Sequence, residues 1–215
     1  MRGDRLVIEP HHRKAAKELA ALLEPRVDRR LLVVSIGGES GSGKSEVARA
    51  LADEFDRRGL SSVVLQQDDY FVYPPRTNDR KRREEIAWVG PNEVRLERLD
   101  EDLAALRSGA DRIRKPLVFY TEDRIGEETL DANGARVAIV EGTYTSLLTN
   151  VDVRVFVERT FEETRDARVR RGRESQDGFL ESVLRIEHGI IAPHRDRADA
   201  LIASDYSVRE RVGES

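Results

Sequence analysis

The chain has no cysteine, one methionine and one tryptophan among its 215 residues. Without cysteine there is no disulfide and no thiolate metal site, which fits a reducing, cytoplasmic setting. No apolar run approaches the length that spans a bilayer, so no membrane partner is expected. The opening residues, MRGDRLVIEPHHRKAA, hold no apolar stretch of the kind a secretory leader needs, and cytoplasmic location is the expectation. Lysine is scarce too. Of 37 basic residues five are lysines (Lys14, Lys17, Lys44, Lys81, Lys115) and 32 are arginines. The formal net charge of −4 argues against a general nucleic-acid binder.

What is present reads as a single globular domain over residues 1–215, with a 36% charged and 39% hydrophobic composition. Ala15, Ala16, Leu19, Leu22, Leu23 and Val27 recur at helical spacing, predicting an N-terminal helical extension within residues 1–30. LLVVSI (31–36) is a continuous apolar run, as in a strand buried on both faces of a parallel sheet. Val47, Ala48, Leu51 and Phe55 mark a helix that Gly59 ends, and SSVVLQ (61–66) a second strand. Residues 74–94 carry prolines and the charge run RTNDRKRREE, and read as a loop or lid. Leu96, Leu99, Leu103 and Leu106 predict another helix, with strands at RVAIV (136–140) and VRVFV (153–157). A helix over 180–191 and a last strand within DALIASDYSV (199–208) complete an α/β pattern.

The segment Gly38-Glu39-Ser40-Gly41-Ser42-Gly43-Lys44-Ser45 fits G-x-x-x-x-G-K-[ST] between a predicted strand and a predicted helix. Glycines let successive backbone N–H groups wrap a phosphate, and the following helix adds its positive N-terminus. Lys44 is placed to reach the β- and γ-phosphates of ATP, and the Ser45 hydroxyl to ligate Mg²⁺. VAIVEG (137–142) ends an apolar strand in Glu141, a second group for the metal. Asp68 and Asp69 follow the second strand, at the carboxyl edge where open α/β sheets bind ligands. An aspartate there can take the proton of an attacking hydroxyl. Arg165, Arg168, Arg170, Arg171 and Arg173 form either a solvated face or a mobile lid that neutralises a transferred phosphoryl group. His11 and His12 read as an exposed helix start, His188 and His194 as structural. Tyr70 and Trp88 could wall a substrate or fill the core.

Together these residues resemble the uridine kinase / phosphoribulokinase superfamily of P-loop kinases, including the nicotinamide riboside kinases. QDDYF (67–71) looks like the Gln-Asp-Ser-Phe-Tyr and Gln-Asp-Asp-Phe-Phe segments of its members, IVEGTY (139–144) is similar to their Walker B strand, and Arg171-Gly172-Arg173 looks like their lid sequence. The resemblance implies a three-layer α/β/α nucleoside/nucleotide kinase-like P-loop NTPase fold, its five-stranded parallel sheet in the order 2-3-1-4-5. It also implies ATP and Mg²⁺ as cofactors, Asp68 as catalytic base, and Arg171 and Arg173 in a lid over about 165–178. Asp69, Tyr70, Tyr120 and Arg124 are further candidates for the acceptor pocket. Where uridine kinases hold the ribose with an aspartate, this chain has Asn92, and residues 116–124 contain no histidine to read a pyrimidine.

The expectation is an ATP-dependent kinase of a small molecule bearing a hydroxyl, with a nucleoside or ribosyl acceptor first. A sugar phosphate, pantothenate or glycerate is the alternative within the superfamily. A regulatory P-loop NTPase is the alternative outside it, and net charge disfavours a polynucleotide kinase. The sequence is as compatible with a homo-oligomer as with a single copy.

Overall fold

The computed structural model describes residues 6–171 and 177–211. Helix α1 (Pro10–Leu23) precedes strand β1 (Leu32–Gly38), helix α2 (Lys44–Arg57) and strand β2 (Ser62–Gln66). A 3-10 turn over Gln67–Tyr70 leads to helices α3 (Pro75–Glu84) and α4 (Leu96–Arg107). Strands β3 (Arg112–Phe119), β4 (Arg124–Asp131), β5 (Val137–Glu141) and β6 (Val153–Val157) follow. Helices α5 (Arg165–Arg171) and α6 (Gly178–Ile191) and strands β7 (Ala200–Ile202) and β8 (Val208–Glu210) complete the described chain.

Six strands form one sheet in the order β2-β5-β1-β6-β7-β8, and β3 pairs with β4 in a separate antiparallel hairpin. The five neighbours β2, β5, β1, β6 and β7 are parallel; numbered among themselves along the chain they stand 2-3-1-4-5. The sheet departs from the expected five strands at its end. A turn at 204–205 reverses the chain, and β8 pairs antiparallel with β7, so 199–208 is two strands and a turn.

Both faces of the parallel strands are covered, which is why they read as unbroken apolar runs. Leu32, Val34 and Ile36 of β1, with Val137 and Ile139 of β5, pack under α1 and α2. Val33, Ala138 and Val140 face the other way, onto α4 and Ile191 of α6. Helix α1 buries Ala15, Ala16, Leu19, Ala20 and Leu23 in the first cluster, so α2 is covered by α1 on one side and by the sheet on the other.

Residues 74–94, read from the sequence as a loop or lid, are helical rather than irregular. They form α3 and two short 3-10 turns, Ile86–Trp88 and Pro91–Glu93. Pro75 stands at the first helical position, where no N–H is needed. Asp123, at the tip of the β3–β4 hairpin, accepts the free N–H groups of Arg76 (2.7 Å) and Thr77 (3.4 Å) and the Thr77 hydroxyl (2.8 Å). A cap that the local sequence does not supply thus comes from 46 residues away. Buried Glu93 accepts from Arg82, Asn78 and the Gly90 N–H, closing the segment onto itself. Among the described residues no helix is long and apolar enough to cross a membrane.

Candidate active site

Parallel pairing sets Glu141 beside both Ile36 and Gln66, so β1, β2 and β5 end at the same level. The loop after β1, the 3-10 turn after β2 and the end of β5 therefore open on one edge of the sheet. Ser40, Gly41, Gly43, Lys44, Ser45, Asp68 and Glu141 line a single cavity of about 660 Å³ there.

The glycine-rich loop runs from the end of β1 into the first turn of α2. Gly41 and Gly43 have φ of 77° and 93°, left-handed values that strain a residue with a Cβ. A Cβ on Gly43 would stand 2.5 Å from Tyr206 Oη, so neither backbone nor neighbour leaves room for one. Lys44 is buried, and its Nζ donates to the Glu39 carbonyl at 2.7 Å across the loop. Gly38, Glu39 and Ser42 shape the loop from outside the cavity lining. The Glu39 carboxylate accepts the Phe161 N–H at 2.6 Å and pairs with His188 Nδ1 at 2.7 Å. The Ser42 carbonyl accepts from Tyr206 Oη at 3.1 Å.

Glu141 is only 4% exposed, and Gln66 Nε2 donates to it at 3.2 Å. Burial first, and then the nearby Asp68 carboxylate, push its carboxyl up to about 7, while Lys44 and the Ser45 hydroxyl pull the other way. Two carboxylates facing each other beside a hydroxyl form a hard-oxygen donor set that a divalent cation would relieve of its repulsion. The described residues contain no cluster of three or more His, Asp or Glu ligands. Mg²⁺ completes its shell with water and phosphate oxygens. Ser45 and Glu141 are the residues that would hold it, with Asp68 beside them.

Asp68 owes its position to its neighbours on the turn. Gln67 Oε1 accepts the Tyr144 N–H at 2.6 Å, tying the end of β2 to the end of β5. Gly142 permits that contact, since a Cβ there would lie 2.3 Å from Gln67 Cβ. Asp69, a candidate for the acceptor pocket, turns away from the cavity. Its carboxylate pairs with buried Lys115 of β3 at 2.8 Å and accepts the Val118 N–H at 3.0 Å. Tyr70 also leaves the site. Its ring is fully buried, and its hydroxyl donates to Asp102 at 2.8 Å. Arg124 lies outside too, stacked 3.9 Å over the Phe119 ring and paired with Glu122. Asp69 and Tyr70 are drawn inward by core partners, and Arg124 outward by its exposed hairpin. Tyr120 does line the cavity.

Arg171 closes α5, while Arg173 and much of the expected lid (172–176) lie outside the described residues. Arg168 of the same run is buried, donating to Thr164 Oγ1 at 2.6 Å and packing on Gly41. Asn92 is exposed and does not line the cavity. Trp88 stands outside it as well, its Nε1 donating to Asn78 at 2.9 Å. His12 corrects the expectation of an exposed helix start: it is 6% exposed and packed against Tyr206.

Sequence reading marked the 76–85 arginine run as a loop or lid, but missed that it is helical and that α6 completes the far wall of the cavity. Pro75, Arg76 and Arg80 of α3 and Phe179, Leu180, Val183 and Leu184 of α6 complete it. The α6 residues have helical spacing that could have suggested an inward face; the α3 residues carry no apolar pattern at all.

The chain matches the description "Phosphoribulokinase / Uridine kinase family" over residues 33–207. It is 31% identical over 194 residues to the bifunctional α-galactosidase/sucrose kinase AgaSK of Mediterraneibacter gnavus. That match covers 84% of this chain and 21% of AgaSK, so the chain spans about a fifth of that enzyme's length. It is 26% identical over 171 residues to the uridine kinase of Ureaplasma parvum serovar 3, covering 77% of this chain and 81% of the relative. The D-glycerate 3-kinase from Cryptococcus neoformans var. grubii superposes with a TM-score of 0.60 over 94% of this chain and 99% of that one. At 14% identity this is a likeness of fold alone. A phosphate loop, a level sheet edge carrying Asp68 and Glu141, and a match that runs from β1 to the turn before β8 lead to one statement: the chain belongs to the phosphoribulokinase / uridine kinase family of kinases.

Proposed function

We propose that the chain transfers the γ-phosphoryl group of ATP, with Mg²⁺, to a hydroxyl of a nucleoside or other ribosyl acceptor. The observation that carries this reading is that Asp68 shares one cavity with Lys44, Ser45 and Glu141. Lys44 and the loop N–H groups hold the β- and γ-phosphates, and Ser45 and Glu141 position the metal. Bound Mg²⁺ supplies charge neutralisation at the phosphates. Asp68 takes the acceptor's hydroxyl proton as its oxygen attacks the γ-phosphorus. The bond to the β–γ bridging oxygen breaks, and ADP leaves. Arg171 and Arg173 close over the transferred group from the lid.

ADP release from MgATP, measured against nucleosides, nicotinamide riboside, sucrose, sugar phosphates, pantothenate and glycerate, tests the reading. A nucleoside or riboside that stimulates turnover only with Asp68 intact supports it. Steady hydrolysis that no acceptor stimulates overturns it in favour of a regulatory NTPase. A second reading, an acceptor bearing phosphate or carboxylate, is favoured by Arg76 and Arg80. Both line the cavity, and neither guanidinium forms an ion pair with a carboxylate among the described residues, whereas Arg82 and Arg83 do.

A further inference from the structure

Behind the phosphate loop, on the side away from the cavity, the hydroxyl of Tyr206 is a junction of four segments. Tyr206 has φ of 62°, a left-handed value that a tyrosine keeps only where its surroundings hold it. The Glu9 N–H donates to His12 Nδ1 at 3.0 Å, which leaves the neutral imidazole's proton on Nε2. That Nε2 lies 3.3 Å from Tyr206 Oη and 3.2 Å from His11 Nε2. Arg159 Nη1 donates to the same Oη at 2.8 Å. The hydroxyl hydrogen of Tyr206 goes to the Ser42 carbonyl at 3.1 Å.

The direction of that last bond matters. In a trans peptide the C=O and the following N–H point opposite ways. Holding the Ser42 carbonyl back toward Tyr206 therefore turns the Gly43 N–H forward. Gly43 lines the cavity beside Lys44. The absence of a side chain at Gly43 is what lets the loop sit on this hydroxyl, since a Cβ there would stand 2.5 Å from Tyr206 Oη.

We propose that His12 and Tyr206 are positioning residues for the donor site: α1 braces the phosphate loop from behind and presets the Gly43 N–H for a phosphate oxygen. His12 lies outside the residues that match the family, 33–207, so the N-terminal helix contributes to the site rather than only to the core. Burial keeps the imidazole neutral, as the directed hydrogen bonds require. The brace presupposes that residues 38–45 form the donor loop, and it is independent of the acceptor.

Calorimetric titration of the full chain with MgATP, without acceptor, tests it, with melting temperature recorded for each variant. Tyr206→Phe keeps the ring and removes the hydroxyl. His12→Ala removes the imidazole, and His12→Gln returns an N–H donor. Tyr206→Phe and His12→Ala are expected to weaken MgATP binding about three- to tenfold, the size of one net hydrogen bond, with His12→Gln recovering part of the loss. Binding within 1.5-fold of wild type in both Tyr206→Phe and His12→Ala, even with lowered melting temperatures, overturns the brace and leaves a purely structural contact. If the wild-type chain binds no MgATP, it is the donor-loop reading that fails. Should His12→Ala not fold, Tyr206→Phe alone decides.

Discussion

Gln67 Oε1 accepts the backbone N–H of Tyr144 at 2.6 Å, so the residue just before Asp68 is bolted to the residue three positions after Glu141. The two carboxylates are therefore fixed to each other through one side chain, and Gly142 is the gap through which that side chain passes. Gly142→Ala forces a Cβ to within 2.3 Å of Gln67 Cβ. It is expected to cost about 1–3 kcal/mol in urea unfolding, as overpacked sites do, and to depress phosphoryl transfer more than MgATP affinity.

Asp68→Asn preserves shape but cannot take a proton. Transfer to any acceptor is expected to fall by roughly 10²–10⁴, with MgATP binding near wild type by calorimetry. Lys44→Ala should instead weaken MgATP binding and turnover together, whatever the acceptor. Unchanged turnover in Asp68→Asn would move the base elsewhere.

Lys115 and Asp69 are both buried and 2.8 Å apart, and Glu128 also reaches Lys115 at 2.8 Å. Lys115→Met removes the cation 2.8 Å from buried Asp69, at an expected cost of about 3–5 kcal/mol in equilibrium unfolding. Adding Asp69→Asn to the same chain should recover part of that loss. A double variant no more stable than Lys115→Met would show that the pair is not coupled.

His12 titrates below its ordinary range, at about 4 against 6.5, because burial and neighbouring His11 disfavour its charge. Glu9 and Glu46 oppose the shift weakly, and Arg159 adds to it. The unfolded chain therefore binds a proton that the folded chain refuses. The associated stability is complete above pH 6.5 and is lost as pH falls from 6.5 toward 4, up to about 3 kcal/mol. Urea midpoints of wild type and His12→Gln, compared at pH 7 and pH 4.5, should converge at the lower pH. Parallel declines would place the acid sensitivity elsewhere.

The phosphate loop and the buried strands were legible because each writes its own signal: glycines at fixed offsets, and apolar runs wherever a strand is covered on both faces. Asp68 was legible as an acid at the sheet edge, and the α2 face as Val47, Ala48, Leu51 and Phe55. Helix α3 was not, since PRTNDRKRRE contains no apolar side chain after its proline. It is held by Asp123 from a distant hairpin and by the Arg82 pairs to Glu93 and Glu187. The hairpin was equally hidden, because β4 (RIGEETLD) has exposed positions interleaved with half-buried ones and no apolar face of its own. His12 and Tyr206 lie 194 positions apart, and nothing local to either announces their contact. Contacts made by tertiary structure leave no periodicity to read.

The 3-10 turn Gln67–Tyr70 points its two acids in opposite directions, Asp68 into the cavity and Asp69 into the hairpin. It is the seam between two separately built halves. One half, the sheet edge with its phosphate loop, is welded into the core. The other is α3, held by polar contacts to Asp123 at the tip of the hairpin and to Glu93 and Glu187. A change in α3 or the hairpin tip therefore reshapes one wall of the cavity while leaving the phosphate loop's seat on the sheet unchanged.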